Sequence, residues 1–154
     1  MRADPPERRT GTPDGHAGLA QAQYRAIAAF RYELRRFLSF SEAAAAEEGL
    51  PAQQHQALLA IAGFPGPGAP SVGALADQLL IAPHTAAELV ARMAEGGLVM
   101  KTPSTADRRR IELSLTGRAE ALLLRLTAVH LEELRTLEPA LARALGRLSR
   151  ARDG

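Results

Sequence analysis

The sequence predicts a mainly helical fold carrying one small β-hairpin, and three observations lead there. Two long stretches, Leu19 to Glu48 and Thr116 onward, repeat apolar residues at steps of three and four, the signature of amphipathic helices. Between them a short helical pattern is joined by a tight turn to a longer one. Behind that pair, Ile111, Leu113 and Leu115 alternate with Glu112 and Ser114, the period of a strand with one face on a core.

Taken in order, residues 1–18 contain Pro5, Pro6, Pro13, Gly11, Gly15 and Gly18 with almost no large apolar side chain, which predicts a disordered tail. Arg2, Arg8 and Arg9 are not followed by an apolar run, so this leader does not read as a secretory signal. From Leu19 to Glu48 there is no Pro or Gly, and Tyr24, Ile27, Phe30, Leu34, Phe37 and Leu38 mark one face of a long helix. Gly49-Leu50-Pro51 ends it, and Ala52 to Ile61 forms a second helix. Gly63 to Pro70 is a loop, after which Ser71 suits the N-cap of a third helix, Val72 to Leu80.

After Ile81-Ala82, Pro83 opens a fourth helix that Gly96-Gly97 closes. On its wheel Ala86, Leu89, Val90 and Met93 fall on one side, and His84, Thr85, Glu88, Ala91 and Arg92 on the other. Leu98 to Lys101 reads as a strand, residues 102–106 as a loop with Pro103, and Arg109 to Leu115 as the returning strand. Thr116 caps a last helical region that Pro139 is expected to interrupt, with a final helix from Ala140 to Arg150.

The chain of 154 residues is long enough for one domain with a real core and short for two. One domain over residues 19–154 is therefore expected. The absence of cysteine removes thiolate nucleophiles, disulfides and Cys-based zinc sites. No apolar run nears the roughly 18 residues that cross a bilayer, so a cytoplasmic protein with no membrane partner is expected. Ser39, Ser41, Ser71, Ser104, Ser114 and Ser149 lack a Gly-x-Ser-x-Gly context, and no phosphate loop or paired-carboxylate motif is present. Neither an enzyme nor a cofactor is expected. His16, His55, His84 and His130 show no ligand spacing, so no metal is expected either.

Net charge is only +2, so affinity for a polyanion must come from local clustering. Asp107-Arg108-Arg109-Arg110 supplies it, with Lys101 on the facing strand. In an extended chain Asp107 and Arg109 share a side and can pair, leaving Arg108 and Arg110 for phosphates. Arginine also suits the negative potential of a narrow minor groove. On the fourth helix Thr85 can meet a phosphate or a thymine methyl, Glu88 can accept from cytosine, Arg92 can donate to guanine, and His84 lies at the end nearest base edges. His84, Glu88 and Arg92, at i, i+4 and i+8, are equally placed for a surface ion-pair ladder.

The order of elements, together with Ala82-Pro83-His84-Thr85-Ala86-Ala87-Glu88-Leu89-Val90-Ala91-Arg92-Met93, Gly97-Leu98-Val99, Asp107-Arg108-Arg109 and Leu115-Thr116, resembles the MarR family of winged helix-turn-helix transcriptional regulators. The resemblance covers residues 19–150. It implies a winged helix-turn-helix over residues 71–116 and dimerisation helices over 19–62 and 117–152. It further implies a homodimer on a pseudo-palindromic double-stranded DNA operator, acting as a ligand-responsive repressor. The DNA-contacting set it suggests is Ser71, His84, Thr85, Ala87, Glu88, Arg92, Lys101, Arg108, Arg109 and Arg110, with Asp107 bracing the wing. A small aromatic or lipophilic effector would then meet Phe30, Phe37, Phe40 and His55. Three positions depart from the pattern: Ala82 stands where Ser or Thr is common, Glu88 where a base is common, and Ala119 where glycine is common. Asp77, Glu88 and Glu95 against Arg92 leave the helix pair acidic, which keeps open a protein-interaction module of the same fold without DNA binding.

Overall fold

The computed structural model describes residues 14–152, as helices α1 (Asp14–Glu47), α2 (Ala52–Ala62), α3 (Val72–Leu79) and α4 (Pro83–Glu95), strands β1 (Val99–Pro103) and β2 (Ile111–Leu115), and helix α5 (Gly117–Arg152). The expectation for residues 1–13 lies outside them. At its other end the expectation of a disordered segment reaching Gly18 does not hold, because Asp14 to Gly18 belong to α1. Each interior glycine costs a helix about 1 kcal/mol against alanine, too little to stop one that runs 34 residues. The described chain divides into two compact units, residues 14–36 with 136–152, and residues 37–135.

In the first unit Ala26, Leu137 and Ala144 are buried, and Gln23 Nε2 donates to the Ala151 carbonyl at 2.9 Å. Tyr24, Ile27, Leu34 and Leu145 remain exposed. The expected break at Pro139 does not occur, since α5 runs through it. The proline forfeits one intrahelical hydrogen bond, while Leu137 and Ala144 to either side are buried and hold the helix together across the gap.

The second unit holds one apolar core. Ala57, Leu58 and Ile61 of α2, Leu75 of α3, Leu89, Val90 and Met93 of α4, Val99 of β1, Leu113 of β2 and Leu122, Leu123 and Leu126 of α5 all belong to it. Ala119 is fully buried there, so the methyl that replaces the family's common glycine is accommodated as packing. The strands pair antiparallel, Val99 opposite Leu115 and Thr102 opposite Glu112. A second connection joins β2 to the start of α3, where Leu113 N–H donates to the Pro70 carbonyl at 2.8 Å and Ser71 bridges Glu112. At the far end of the hairpin Thr116 Oγ1 donates to the Gly97 carbonyl at 2.7 Å and accepts from Ala119 N–H at 3.2 Å. Arg118 donates to the Gly96 carbonyl beside it. Arg125 clasps Glu48 with two nitrogens, the closer at 2.9 Å. That bond, together with the guanidinium charge, lowers the Glu48 carboxyl below its usual range. Both groups face water, so the pair adds little to stability.

Pro139→Ala restores a backbone donor inside α5. It should raise unfolding stability by up to about 3 kcal/mol in chemical denaturation, and a lower stability would show that the proline serves the packing of its unit.

Candidate nucleic-acid interface

The helix pair is set by its caps. Ser71 Oγ accepts from Ala74 N–H at 3.1 Å, opening α3 as its sequence position predicts. Ala82 gives α4 no side-chain cap, and Pro83 at the first turn needs none for its own nitrogen. Three C-termini close in one way, through a residue of positive φ followed by an apolar one whose N–H reaches back to a carbonyl five residues earlier: Leu50 to Ala45, Ile81 to Ala76 and Leu98 to Met93. The positive-φ positions are Gly49, Leu80 and Gly97. Leu80 is the exception, a branched side chain at φ 54° that is 92% exposed at the turn between α3 and α4.

On α4 the expected inward residues Ala86, Leu89, Val90 and Met93 are all buried. His84, Ala87, Glu88 and Arg92 are exposed, whereas Thr85 is half-buried and offers only part of its surface. The His84–Glu88–Arg92 ladder is not formed: among the described residues the ion pairs found are Glu33–Arg36, Glu48–Arg125 and Glu132–Arg135. The polar face of α4 is left open to a partner.

The wing differs from the sequence expectation at its tip. β2 begins at Ile111 and β1 extends to Pro103, so Arg108 to Arg110 lie in the connecting turn. The alternation argument therefore does not apply to them. Asp107 does brace this turn, but through the backbone: its Oδ1 accepts from Arg109 N–H at 3.0 Å and its carbonyl accepts from Arg110 N–H at 2.9 Å. The Arg109 guanidinium is not its partner. A carboxylate two residues ahead of an amide forms a local turn more readily than it reaches a flexible side chain.

Ser104, not singled out from the sequence, organises the same loop. It is buried, its Oγ accepts from the N–H groups of Ala106 at 3.3 Å and Asp107 at 3.4 Å, and its own N–H donates to the Arg110 carbonyl at 2.9 Å. The signal available was the serine three residues before the aspartate, a spacing that suits side-chain to backbone turns. Within the described chain, the side chains of Lys101, Arg108, Arg109 and Arg110 are exposed and none enters an ion pair. Ser71, Asp107, Arg109 and Arg110 line one depression of about 420 Å³ at the start of α3, so the fold brings these four site residues together.

Of the four residues suggested for an effector, Phe37, Phe40 and His55 converge on His130, which sequence reasoning weighed only as a metal ligand. The His130 ring stands 6.0 Å from Phe37, 5.6 Å from Phe40 and 4.8 Å from His55. Phe30 falls in the other unit and is half-buried. His130 Nδ1 donates to the Leu126 carbonyl at 2.6 Å, because a carbonyl can only accept, and Nε2 lies 2.7 Å from Ser41 Oγ. Although His55 and His130 meet, no third His, Cys, Asp or Glu joins them among the described residues to hold a metal ion. Burial, then the neighbouring His130, lowers the His55 pKa.

A short helix, a tight turn, an exposed second helix and a basic hairpin define a winged helix-turn-helix protein. Residues 48–110 match the family model described as the MarR family. That match spans less than half of the chain, and the helices and hairpin have the MarR winged-helix fold. AbsC, a MarR family transcriptional regulator from Streptomyces coelicolor, is similar at 19% identity and a TM-score of 0.66, over 85% of this chain and 87% of that one. MepR, a transcription regulator of the Staphylococcus aureus multidrug efflux pump MepA, is similar at 16% identity and a TM-score of 0.63, over 80% and 89%. The MepR–DNA complex from S. aureus is similar at 18% identity and a TM-score of 0.60, over 71% and 79%. These relatives are transcription regulators, not enzymes. No curated protein matches the chain. No helix among the described residues is long and apolar enough to cross a membrane.

Leu80→Gly should raise stability by about 1 kcal/mol, since a left-handed backbone costs an L side chain roughly that much and an exposed leucine loses little packing. Equal or lower stability in denaturant titrations would contradict this reading of the turn.

Burial that disfavours the His55 cation makes the folded chain bind that proton less readily than the unfolded chain. The contribution is present above the unfolded histidine range, near pH 6.5, and is lost as pH falls through it toward the lowered folded value. Melting temperature should therefore drop from pH 7.5 to 5.5, and His55→Gln should flatten that drop. Parallel profiles for the two proteins would rule His55 out as the cause.

Proposed function

We propose that the protein is a transcriptional regulator that binds double-stranded DNA, with the exposed face of α4 in the major groove and the Arg108–Arg110 turn at the minor groove or its phosphates. The observation that carries this is the wing tip: three exposed arginines without ion-pair partners among the described residues, in a turn held by Ser104 and Asp107 through backbone bonds that do not engage the guanidiniums. A turn fixed from within can present charge outward at low ordering cost. Ser71, His84, Thr85, Ala87, Glu88, Arg92 and Lys101 complete the proposed contact set, and the MepR–DNA complex supports DNA as the partner of this fold.

A homodimer is part of the proposal. Tyr24, Ile27, Leu34 and Leu145 expose apolar surface in the unit of the chain ends, and a second copy would cover it. Two copies would set their α4 helices on a pseudo-palindrome with half-sites about 34 Å apart. Repression relieved by a small aromatic or lipophilic effector completes this reading, on the family resemblance.

Asp77, Glu88 and Glu95 on α3 and α4 favour the second reading, a protein-interaction module of the same fold. Salt separates the two. Binding to duplex DNA should weaken steeply as salt rises, with a slope near −0.9 per phosphate neutralised. Arg109→Ala should reduce that slope by about one and leave the oligomeric state unchanged. Binding that ignores salt, or an Arg109→Ala protein with unaltered duplex affinity, would remove the wing from the interface.

A further inference from the structure

The whole-chain charge of +2 hides an uneven division. Residues 14–36 and 136–152, the unit of the chain ends, hold eight arginines against Asp14, Glu33 and Glu138, whereas residues 37–135 hold eight bases against eleven acids. The basic unit is thus not the one that carries the wing. Three of its arginines converge: Arg25 of α1 and Arg147 and Arg150 of α5 line a depression of about 430 Å³ whose other borders are all apolar, with no acid among them. All three are exposed, and among the described residues none of them enters an ion pair.

The backbone is arranged around these side chains. Arg147 and Arg150, three residues apart, share one face of α5. Gly146 lies inside the same helix, where alanine is the better helix former, and the Arg150 guanidinium folds back over it, so that a Cβ there would stand 3.4 Å from Nη1. A cation in the last turn of α5 suits the helix dipole, which accounts for Arg150 and not for Arg25 on another helix. A second depression, bordered by Tyr24, Ile27 and Leu148, shares only Ala151 with the first. On α1 Ala22 and Arg25 form one i, i+3 pair and Tyr24 and Ile27 another, to either side of the buried Ala26. A second copy seated on the exposed Tyr24 and Ile27 surface would therefore leave the arginines open.

We infer that the arginine depression binds an oligophosphate, a chain of two or more phosphate groups, free or carried by a nucleotide. A guanidinium meets phosphate oxygens with paired N–H donors, and three of them converging from two helices suit an anion with charged oxygens along its length. A monocarboxylate could pair with only one. No carboxylate at the border neutralises these charges, so the charge of the occupant is left to do it. The site stands apart from the DNA reading, because the wing arginines belong to the other unit.

The test is calorimetric titration of the full chain, without divalent cations, with orthophosphate, tripolyphosphate and ATP. Tripolyphosphate should bind about tenfold more tightly than orthophosphate, through its additional charge-assisted contacts. Arg25→Gln and Arg147→Gln, exposed positions on different helices, should each weaken tripolyphosphate by about tenfold, and Arg109→Ala in the wing should leave it unchanged. ATP held at least as tightly as tripolyphosphate, with the same losses in both Gln variants, makes a nucleotide the source of the phosphates, and ATP held more weakly makes it the inorganic chain. Absence of tripolyphosphate binding, an affinity no higher than that for orthophosphate, an affinity that survives both Gln variants, or an equal loss in Arg109→Ala overturns the assignment.

Discussion

The bond from Leu113 N–H to the Pro70 carbonyl is the constraint on which the rest of the winged unit depends. A two-stranded hairpin alone is marginal in water, and β1 with β2 is such a hairpin. Here β2 has β1 on one edge and the Pro70–Ser71 segment on the other, while Leu113 between them sends its side chain into the core. The same strand residue therefore fixes the wing to its neighbour strand, to the helix pair and to the apolar interior. At the opposite end Thr116 and Arg118 hold the Gly96-Gly97 carbonyls, so the exit of α4 and the entry of α5 are tied as well. Without these two attachments the arginine turn would carry the same charge but no defined position relative to α4.

That division between anchored strand and presented turn explains why charge matters locally. A net charge of +2 produces a weak overall field, and α4 offers Glu88 against Arg92 on its open face. Electrostatic attraction must then concentrate at residues 101–110, where Lys101 and three arginines face a single carboxylate, Asp107, already engaged with a backbone amide. An ion pair between Asp107 and Arg109 would have cancelled part of this charge. The backbone bond leaves it intact and shapes the turn at the same time.

The parts of this arrangement that were readable in the sequence are those set by periodicity and caps. The inward face of α4, the cap at Ser71 and the strand core at Leu113 follow from spacing and from which side chains can satisfy free amides and are found as expected, whereas Ile111, expected on the same core face, is exposed and Leu115 is half-buried. What could not be read depends on competition between local preferences and packing. Pro139 predicts a break, yet burial of Leu137 and Ala144 keeps the helix whole. Arg108 to Arg110 continue the strand pattern on paper, yet two side chains that accept amide protons, Ser104 and Asp107, turn the backbone before it reaches Ile111. The meeting of His55 with His130 is long-range, between residues 75 positions apart by their numbers, and spacing along the chain carries no trace of it.

Leu80 joins these two kinds of residue. Its conformation is dictated by the hydrogen bonds that close α3 and lead within two residues to Pro83 of α4, since Ile81 N–H must reach Ala76 for the turn to stay this tight. Glycine meets the same demand at 49 and 97 without strain. A leucine at 80 gains little from burial, being 92% exposed, so folding alone gives no reason for it. Backbone strain held at an exposed position beside the proposed binding face is the pattern expected where a side chain serves contact and not stability. The turn of the helix pair then exposes apolar surface next to the open polar face of α4, and the proposed interface becomes a composite: charge from the wing, polar groups from α4, and one aliphatic contact from the turn that spaces the helices.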